Sequence, residues 1–258
     1  MTKKKSHLNL TKKISEKMTE PPSSAKRIKV GILGATGKMG KKLHYLILDQ
    51  PEYRDKFQLV YAASGPNDPR FELLAGSGAE VLIDFSSPKS SLKAASICGH
   101  HKIPLLICTT GFDFKQLETL KSSLKNVAWA NVPNTSLGVF AFKNIVGQLA
   151  AKLPDSFHFE IVEVHHEHKK DAPSGTAKII AQEIQNSRKQ ITVPMHSIRG
   201  GTEVGEHRVI ALGQNESIEL VHRASDRKVF AHGALRLAQA LLKFRSKGEV
   251  SLSKLCAV

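Results

Sequence analysis

The sequence predicts an α/β protein in two parts. The first is a doubly wound parallel sheet completed by the C-terminal segment. The second is an inserted α+β domain with an open, largely antiparallel sheet. Three observations carry the prediction. From Ile28 to Asn131 short apolar runs alternate with segments of helical spacing, the pattern of parallel strands joined by crossover helices. A glycine-rich turn follows the first run and opens a helix. From Ser197 to Ala224 the runs lengthen and alternate apolar with polar residues, as half-buried antiparallel strands do.

The elements follow in order. Ile28–Leu33 is a strand. Gly34-Ala35-Thr36-Gly37-Lys38-Met39-Gly40 is the turn, and a helix through Leu43, Leu46 and Ile47 runs to the break at Pro51. Strand, glycine turn and helix is the context a dinucleotide pyrophosphate requires. The spacing is G-x-x-G-x-x-G, and a P-loop is excluded because Met39 follows Lys38 where Ser or Thr is needed. The second strand, Phe57–Ala63, runs into Ser64-Gly65-Pro66, with no acid at the position that usually binds the ribose of NAD. Further strands are expected at Glu80–Phe85, Ile103–Cys108 and Val127–Asn131, with helices at about 89–99 and 114–123. Their exits, Thr109-Thr110 and Val132-Pro133-Asn134-Thr135, fall on the carboxyl side of the sheet, where such folds bind ligands. A helix is expected at about 139–152, strands at 197–199, 205–212 and 217–224, and a last long helix at Phe230–Ser246.

Composition bounds the function. An apolar fraction of 41% and a charged fraction of 24% are ordinary for a globular protein. No apolar run approaches the roughly 20 residues of a membrane span, so no membrane partner is expected. Cys98, Cys108 and Cys256 make no disulfide framework and fit a reducing cytoplasm. The net charge is +15, and nine Lys/Arg with two Glu place +7 of it in residues 1–29. Residues 1–27, closing on Glu20-Pro21-Pro22-Ser23-Ser24, read as a disordered basic tail. The tail lacks a secretory apolar stretch, and Met18 is an alternative start. It has no aromatic residue to stack bases and the chain shows no nucleic-acid motif, so no nucleic-acid partner is expected. The charge of the remainder reads as a field for small anions.

The stretch that concentrates the chemistry is Glu163-Val164-His165-His166-Glu167-His168-Lys169-Lys170-Asp171-Ala172-Pro173-Ser174-Gly175-Thr176-Ala177. It lies between a strand, Phe157–Val164, and a helix from Ala177. Ser174, Gly175 and Thr176 would present unpaired helix N–H groups to an anion. The adjacent His and Lys side chains can deliver protons near neutral pH, His by its ordinary pKa and a Lys crowded by cations by a lowered one. A small polyanion that must be protonated fits this junction. A solvated basic loop is the bland alternative. A zinc site is the other, but there is no His-Glu-x-x-His and no Cys pair, and no metal is expected.

That stretch resembles the signature of the dihydrodipicolinate reductases. Gly34–Gly40, Thr109-Thr110-Gly111-Phe112, Pro133–Gly138, Arg199-Gly200-Gly201, Val204–His207 and His222–Arg227 fall in family order, so the likeness covers about residues 28–245. It implies hydride transfer from NADPH or NADH to 4-hydroxy-tetrahydrodipicolinate, with loss of water, in lysine and diaminopimelate synthesis. By position it implies His165 and Lys169 as catalytic groups, with Lys169 the proton donor and His165 a donor or acceptor. It places His166, Gly175 and Thr176 on a small dicarboxylate substrate. It lines the cofactor with Gly34, Ala35, Thr36, Gly37, Lys38, Met39, Cys108, Thr109, Thr110, Val132, Pro133, Asn134 and Thr135. It further implies a homotetramer built through the second sheet. The implied domains are 28–134 completed by 232–258 for the dinucleotide, and 135–231 for substrate and oligomerisation. Departures from the family pattern at Ser64, Cys108, Val132 and Thr135 all fall in the cofactor half. An amino-acid dehydrogenase is the competing enzyme, but such enzymes lack the full His-His-x-His-Lys run. A nucleic-acid- or nucleotide-binding module driven by the basic charge is the competing non-enzyme.

Overall fold

The computed structural model describes residues 26–244 and 247–258. The expected basic tail thus lies almost wholly outside the described residues, as does the expected end of the last helix. Among the described residues, contacts divide the chain into one unit running to Asn131 and resuming at Ala238–Val258, and a second unit, Val132–Leu237.

The first unit is a parallel sheet. Its strands are β1 (Ile28–Leu33), β2 (Phe57–Ala63), β3 (Val81–Asp84), β4 (Leu105–Ile107), β5 (Ala128–Asn131) and β10 (Gly248–Glu249), in the order β10-β5-β4-β3-β1-β2. Every pairing is parallel. β3 and β4 are buried at every residue, as strands covered on both faces must be, whereas the edge strand β2 alternates buried Phe57, Leu59, Tyr61 and Ala63 with half-buried neighbours. The crossovers are α1 (Lys38–Asp49), the short α2 (Pro51–Arg54), α3 (Pro88–His101) and α4 (Phe114–Ser123). α3 starts on Ser87, whose hydroxyl accepts from Ser90 N–H, with Pro88 in the first turn; α4 starts on a reciprocal Asp113–Gln116 capping box. Strand order reverses between β1 and β3, so the loops after those two strands meet at the switch point of the sheet.

The second unit is a sheet of order β7-β6-β8-β9, from β6 (His158–His165), β7 (Met195–Arg199), β8 (Gly205–Gly213) and β9 (Glu216–Ala224). β6, β8 and β9 are antiparallel neighbours, and β7 lies parallel to β6. α5 (Leu137–Lys152) and α6 (Gly175–Ser187) cover one face. Phe142, Val146, Ile180 and Ile184 pack there on Phe159, Ile161, Val209 and Ala211. The opposite face carries Val162, Val164, Ile198, Ile210, Leu212 and Val221, none of them buried, among ion pairs of Arg208 and Arg223 with Glu206 and Glu219. α7 (Lys228–Leu241) ends five residues before the expected Ser246, and the last two of those five lie outside the described residues. α8 (Leu252–Cys256) closes the described chain.

Candidate active site

The chemistry of the second unit begins with the two-residue period of β6. Alternation puts Glu163 and His165 on the face turned toward α6, where Glu163 is fully buried and His165 nearly so. A buried carboxylate must be matched. Arg199 of β7 meets it with both terminal nitrogens, Nη2 to Oε1 at 2.6 Å and Nη1 to Oε2 at 2.9 Å. The Ser174 N–H donates to Oε1 at 3.2 Å, and His165 Nδ1 closes on Oε2. Burial alone would raise the Glu163 pKa, but the hydrogen bonds from Arg199, Ser197 and His165 outweigh it and hold it at about 2. Burial lowers the His165 pKa, Glu163 works the other way, and the Lys169 and Arg199 cations lower it again.

A second imidazole stands beside the first. The His207 ring lies edge-on to His165 at 5.2 Å between centroids, and its Nε2 is 3.0 Å from Ser174 Oγ. Burial first, and then the His165 charge, bring His207 to about pKa 4, so it is neutral at physiological pH. Ser174 in turn caps α6, its Oγ accepting from Ala177 N–H at 3.1 Å. Gly175 is exposed at the helix start.

The loop between β6 and α6 brings the remaining groups in. His166 N–H donates to Glu203 O and Lys169 N–H to His166 O, pinning the turn to the β7–β8 connection. Lys169 Nζ reaches both oxygens of Asp171, at 2.7 and 2.9 Å. This partner was not anticipated: the ammonium group is paired with an acid rather than only crowded by cations. The hydrogen bond from Lys169 lowers the Asp171 pKa, and the Gly175 N–H contributes in the same direction. Thr176 Oγ1 accepts from Asn134 Nδ2 at 3.0 Å. The structure therefore places His165, Lys169, Gly175 and Thr176 around one helix start, with Asn134, expected on the cofactor, tied to Thr176.

The first unit holds a site of a different kind. Gly34 has φ +84°, and a Cβ there would sit 2.3 Å from the Phe85 carbonyl oxygen; a Cβ on Gly40 would sit 2.3 Å from Gly34 O. The turn is thus closed by glycine at the switch point. Gly37 is the N-cap of α1 and supplies no side-chain acceptor, and the first turn contains no acid. Its N–H groups, with exposed Lys38 beside them, fit a pyrophosphate. Asp84 at the end of β3 is fully buried. It accepts from Ser86 N–H at 2.9 Å and from the hydroxyls of Ser86 and Ser91, and burial raises its pKa.

Several expected cofactor residues turn their side chains inward. Cys108 is buried, its thiol pKa pushed up by burial, and its N–H donates to Asp84 O. Thr109 Oγ1 accepts from Ser86 N–H at 2.9 Å, while Thr110 is exposed. In the second unit Val132 is buried, and Thr135 donates its hydroxyl to Phe230 O at 2.7 Å. Pro133 is exposed and Ala35 buried, and Thr36 and Met39 are half-buried on the glycine turn. The end of β2 also has a neighbour not weighed in the sequence, the loop residue Asp68. The chain folds back after Pro66 so that Asp68 Oδ2 accepts from Ser64 N–H at 2.8 Å, and Arg70 binds both Asp68 oxygens, Nε at 2.9 Å and Nη2 at 2.7 Å. The side-chain hydrogen bond from Arg70 leads in holding Asp68 far below the usual carboxylate range.

Among the described residues no group of three His, Cys, Asp or Glu side chains is placed to hold a metal ion. Glu163, Arg199, Asp171 and His207 stand in motifs read from the sequence but were given no role there. For Glu163 the signal existed: an acid two residues before His165 in a strand shares its face and needs a partner. For Arg199 it lay in the register, since Arg199 sits opposite His165 across β6 and β7.

Residues 28–135 match the family model described as dihydrodipicolinate reductase, N-terminus, and residues 138–255 that described as dihydrodipicolinate reductase, C-terminus. The 4-hydroxy-tetrahydrodipicolinate reductase of Clostridium tetani is 32% identical over 240 residues, covering 86% of this chain and 94% of the relative. That of Caldanaerobacter subterraneus is 35% identical over 240 residues, covering 83% and 93%. The solved structure of a dipicolinate-bound dihydrodipicolinate reductase from Paenisporosarcina sp. TG-14 superposes with TM-score 0.72 at 22% identity, covering 89% of this chain and 99% of that one. The chain belongs to the dihydrodipicolinate reductase family.

Proposed function

We propose that this chain reduces 4-hydroxy-tetrahydrodipicolinate to tetrahydrodipicolinate, in lysine and diaminopimelate synthesis, with NADPH or NADH as the reductant. One hydride and one proton enter and one water leaves. The observation that carries the reading is the array of His165 and Lys169 against the start of α6, with Gly175 and Thr176 at its mouth. Dipicolinate, the molecule named with the Paenisporosarcina structure, is a dicarboxylate of the kind such a junction suits.

The bound nicotinamide supplies the hydride. The chain's own groups do the rest. The glycine turn lets the α1 N–H groups approach the pyrophosphate, and Lys38 adds charge. The Gly175 and Thr176 N–H groups take one substrate carboxylate, and His166 also contacts the substrate. Substrate entry exchanges the Lys169–Asp171 pair for a Lys169–substrate contact and places the ammonium proton at the reacting atoms. His165 is the second group able to hold or return that proton through Nε2. Asp68 is neutralised by Arg70, so the end of β2 does not repel a 2′-phosphate, and both cofactors serve with a mild preference for NADPH.

The partly exposed sheet face around Ile198, Leu212 and Val221 buries against further copies in a homotetramer. The proposed place of work is the cytoplasm, in keeping with three cysteines that form no disulfide. The test is direct: enzymatically generated substrate is mixed with the protein and each cofactor, and nicotinamide absorbance is followed. Substrate-dependent loss of absorbance is expected, and none with either cofactor would overturn the proposal.

A further inference from the structure

We infer that Glu163, held by Arg199, is the positioning residue that sets the tautomer and proton affinity of His165 and ties that imidazole to the anion-binding start of α6. This rests on the proposed role of His165 and extends it to residues that touch neither substrate nor cofactor.

The Glu163 carboxylate is saturated. Glu163 has no exposed surface, and Arg199 Nη1, Arg199 Nη2, the Ser174 N–H and His165 Nδ1 all meet its two oxygens, with the Ser197 side chain beside them. An ionised carboxylate only accepts, so His165 must donate from Nδ1 and leave Nε2 as its working nitrogen. Nε2 faces Gly205, where a Cβ would approach it to 2.9 Å, so a side chain at that position would crowd it. The same carboxylate holds the N–H of the α6 N-cap residue, and Arg199 Nη2 continues to Asp171 O at 2.7 Å. One buried ion pair thus links the proton-carrying ring, the helix start and the backbone of the partner of Lys169. A buried Arg–Glu pair is not an obvious gain in stability over apolar packing, which leaves its connections as the reason to bury it here.

Four charged or titratable groups face His165: Glu163 on its own strand, Arg199 on β7, His207 on β8 and Lys169 on the following loop. Glu163 and Arg199 pull the His165 proton affinity in opposite directions, so their variants must differ in sign. In Glu163→Gln the His165 titration, read by nitrogen-15 NMR of the imidazole, should move to lower pH by roughly one unit or more. In Arg199→Gln, with the carboxylate left unopposed, it should move to higher pH. Turnover should fall on the order of 10–100-fold in Glu163→Gln, as for loss of a group that orients a ligating or catalytic His. Its fall should show in kcat.

Wild-type protein gives a reading that needs no variant: His165 should carry its neutral-form proton on Nδ1. A proton on Nε2, or shifts of the same sign in both variants, would overturn the inference even if either variant folds poorly. So would an unchanged His165 titration with only a lowered melting temperature. His165→Asn separates this from the underlying mechanism. If that variant keeps turnover within threefold of wild type, the role of His165 fails. If it is inactive while Glu163→Gln titrates and turns over like wild type, only the positioning role fails.

Discussion

Two helix starts in this chain are built in opposite ways. At α1 the N-cap is Gly37, no side chain satisfies the first N–H groups, and the turn is closed by Gly34 and, in the first helical turn, Gly40, neither of which tolerates a Cβ. At α6 the N-cap is Ser174, whose hydroxyl and N–H are both engaged, to Ala177, His207 and Glu163, and the helix start is surrounded by ionisable side chains. The first site is made of backbone and gives shape. The second adds ionisable side chains to the backbone N–H groups of Gly175 and Thr176, and in the proposed function they give charge and protons. A cofactor that only has to be held needs the first kind; a substrate that has to be protonated needs the second.

Substitutions sharpen this contrast in descending order of effect. Gly34→Ala forces a side chain onto φ +84° against the Phe85 carbonyl. It should cost about 3 kcal/mol in chemical denaturation and weaken NADPH binding. Retention of both would show that the turn is not closed by glycine. Ser174→Ala removes a cap and a partner of His207, and should cost about 1 kcal/mol, with a raised KM for substrate and an unchanged Kd for NADPH. A change confined to cofactor affinity would assign α6 to the wrong ligand.

Cofactor choice tests the far end of the backbone site. Wild-type protein should use NADPH at least as well as NADH in steady-state kinetics. A kcat/KM for NADH more than tenfold above that for NADPH would contradict the neutralisation of Asp68. Arg70→Ala leaves that carboxylate uncompensated and should move the ratio toward NADH on the order of tenfold. The smallest effect belongs to the tail. Deleting residues 1–26 should leave turnover unchanged, because every residue assigned to either site follows it in the chain. Loss of active protein on truncation would show that it packs on the remainder.

Much of the fold is legible locally. β3 and β4 are continuous buried runs, the glycine turn is followed by a helix, and the Asp113–Gln116 box marks the start of α4. β10 was missed because two residues, Gly248 and Glu249, carry no period; their strand exists only through pairing with Ala128 and Trp129. The one-turn 3₁₀ helix at Phe71–Leu74 was missed for the same reason. In the site, the His-His-x-His-Lys run and the Ser-Gly-Thr turn stand together in sequence and were read there. The ion pair of Glu163 with Arg199 joins residues on different strands, and no local pattern announces it. Thr135 shows a further limit. Its place in the family motif fits a cofactor contact, but a hydroxyl bonded to Phe230 O is a side-chain direction that spacing does not encode.

The division of labour is tested most directly at Lys169. Turnover and NADPH affinity of Lys169→Ala are to be measured on the same preparation, the first by nicotinamide absorbance and the second by nicotinamide fluorescence. Removal of a proton donor should lower kcat by about 10²–10⁴-fold while the Kd for NADPH stays within threefold of wild type. Turnover within threefold of wild type would remove Lys169 from the mechanism, and a parallel loss of NADPH affinity would contradict the separation of the two sites.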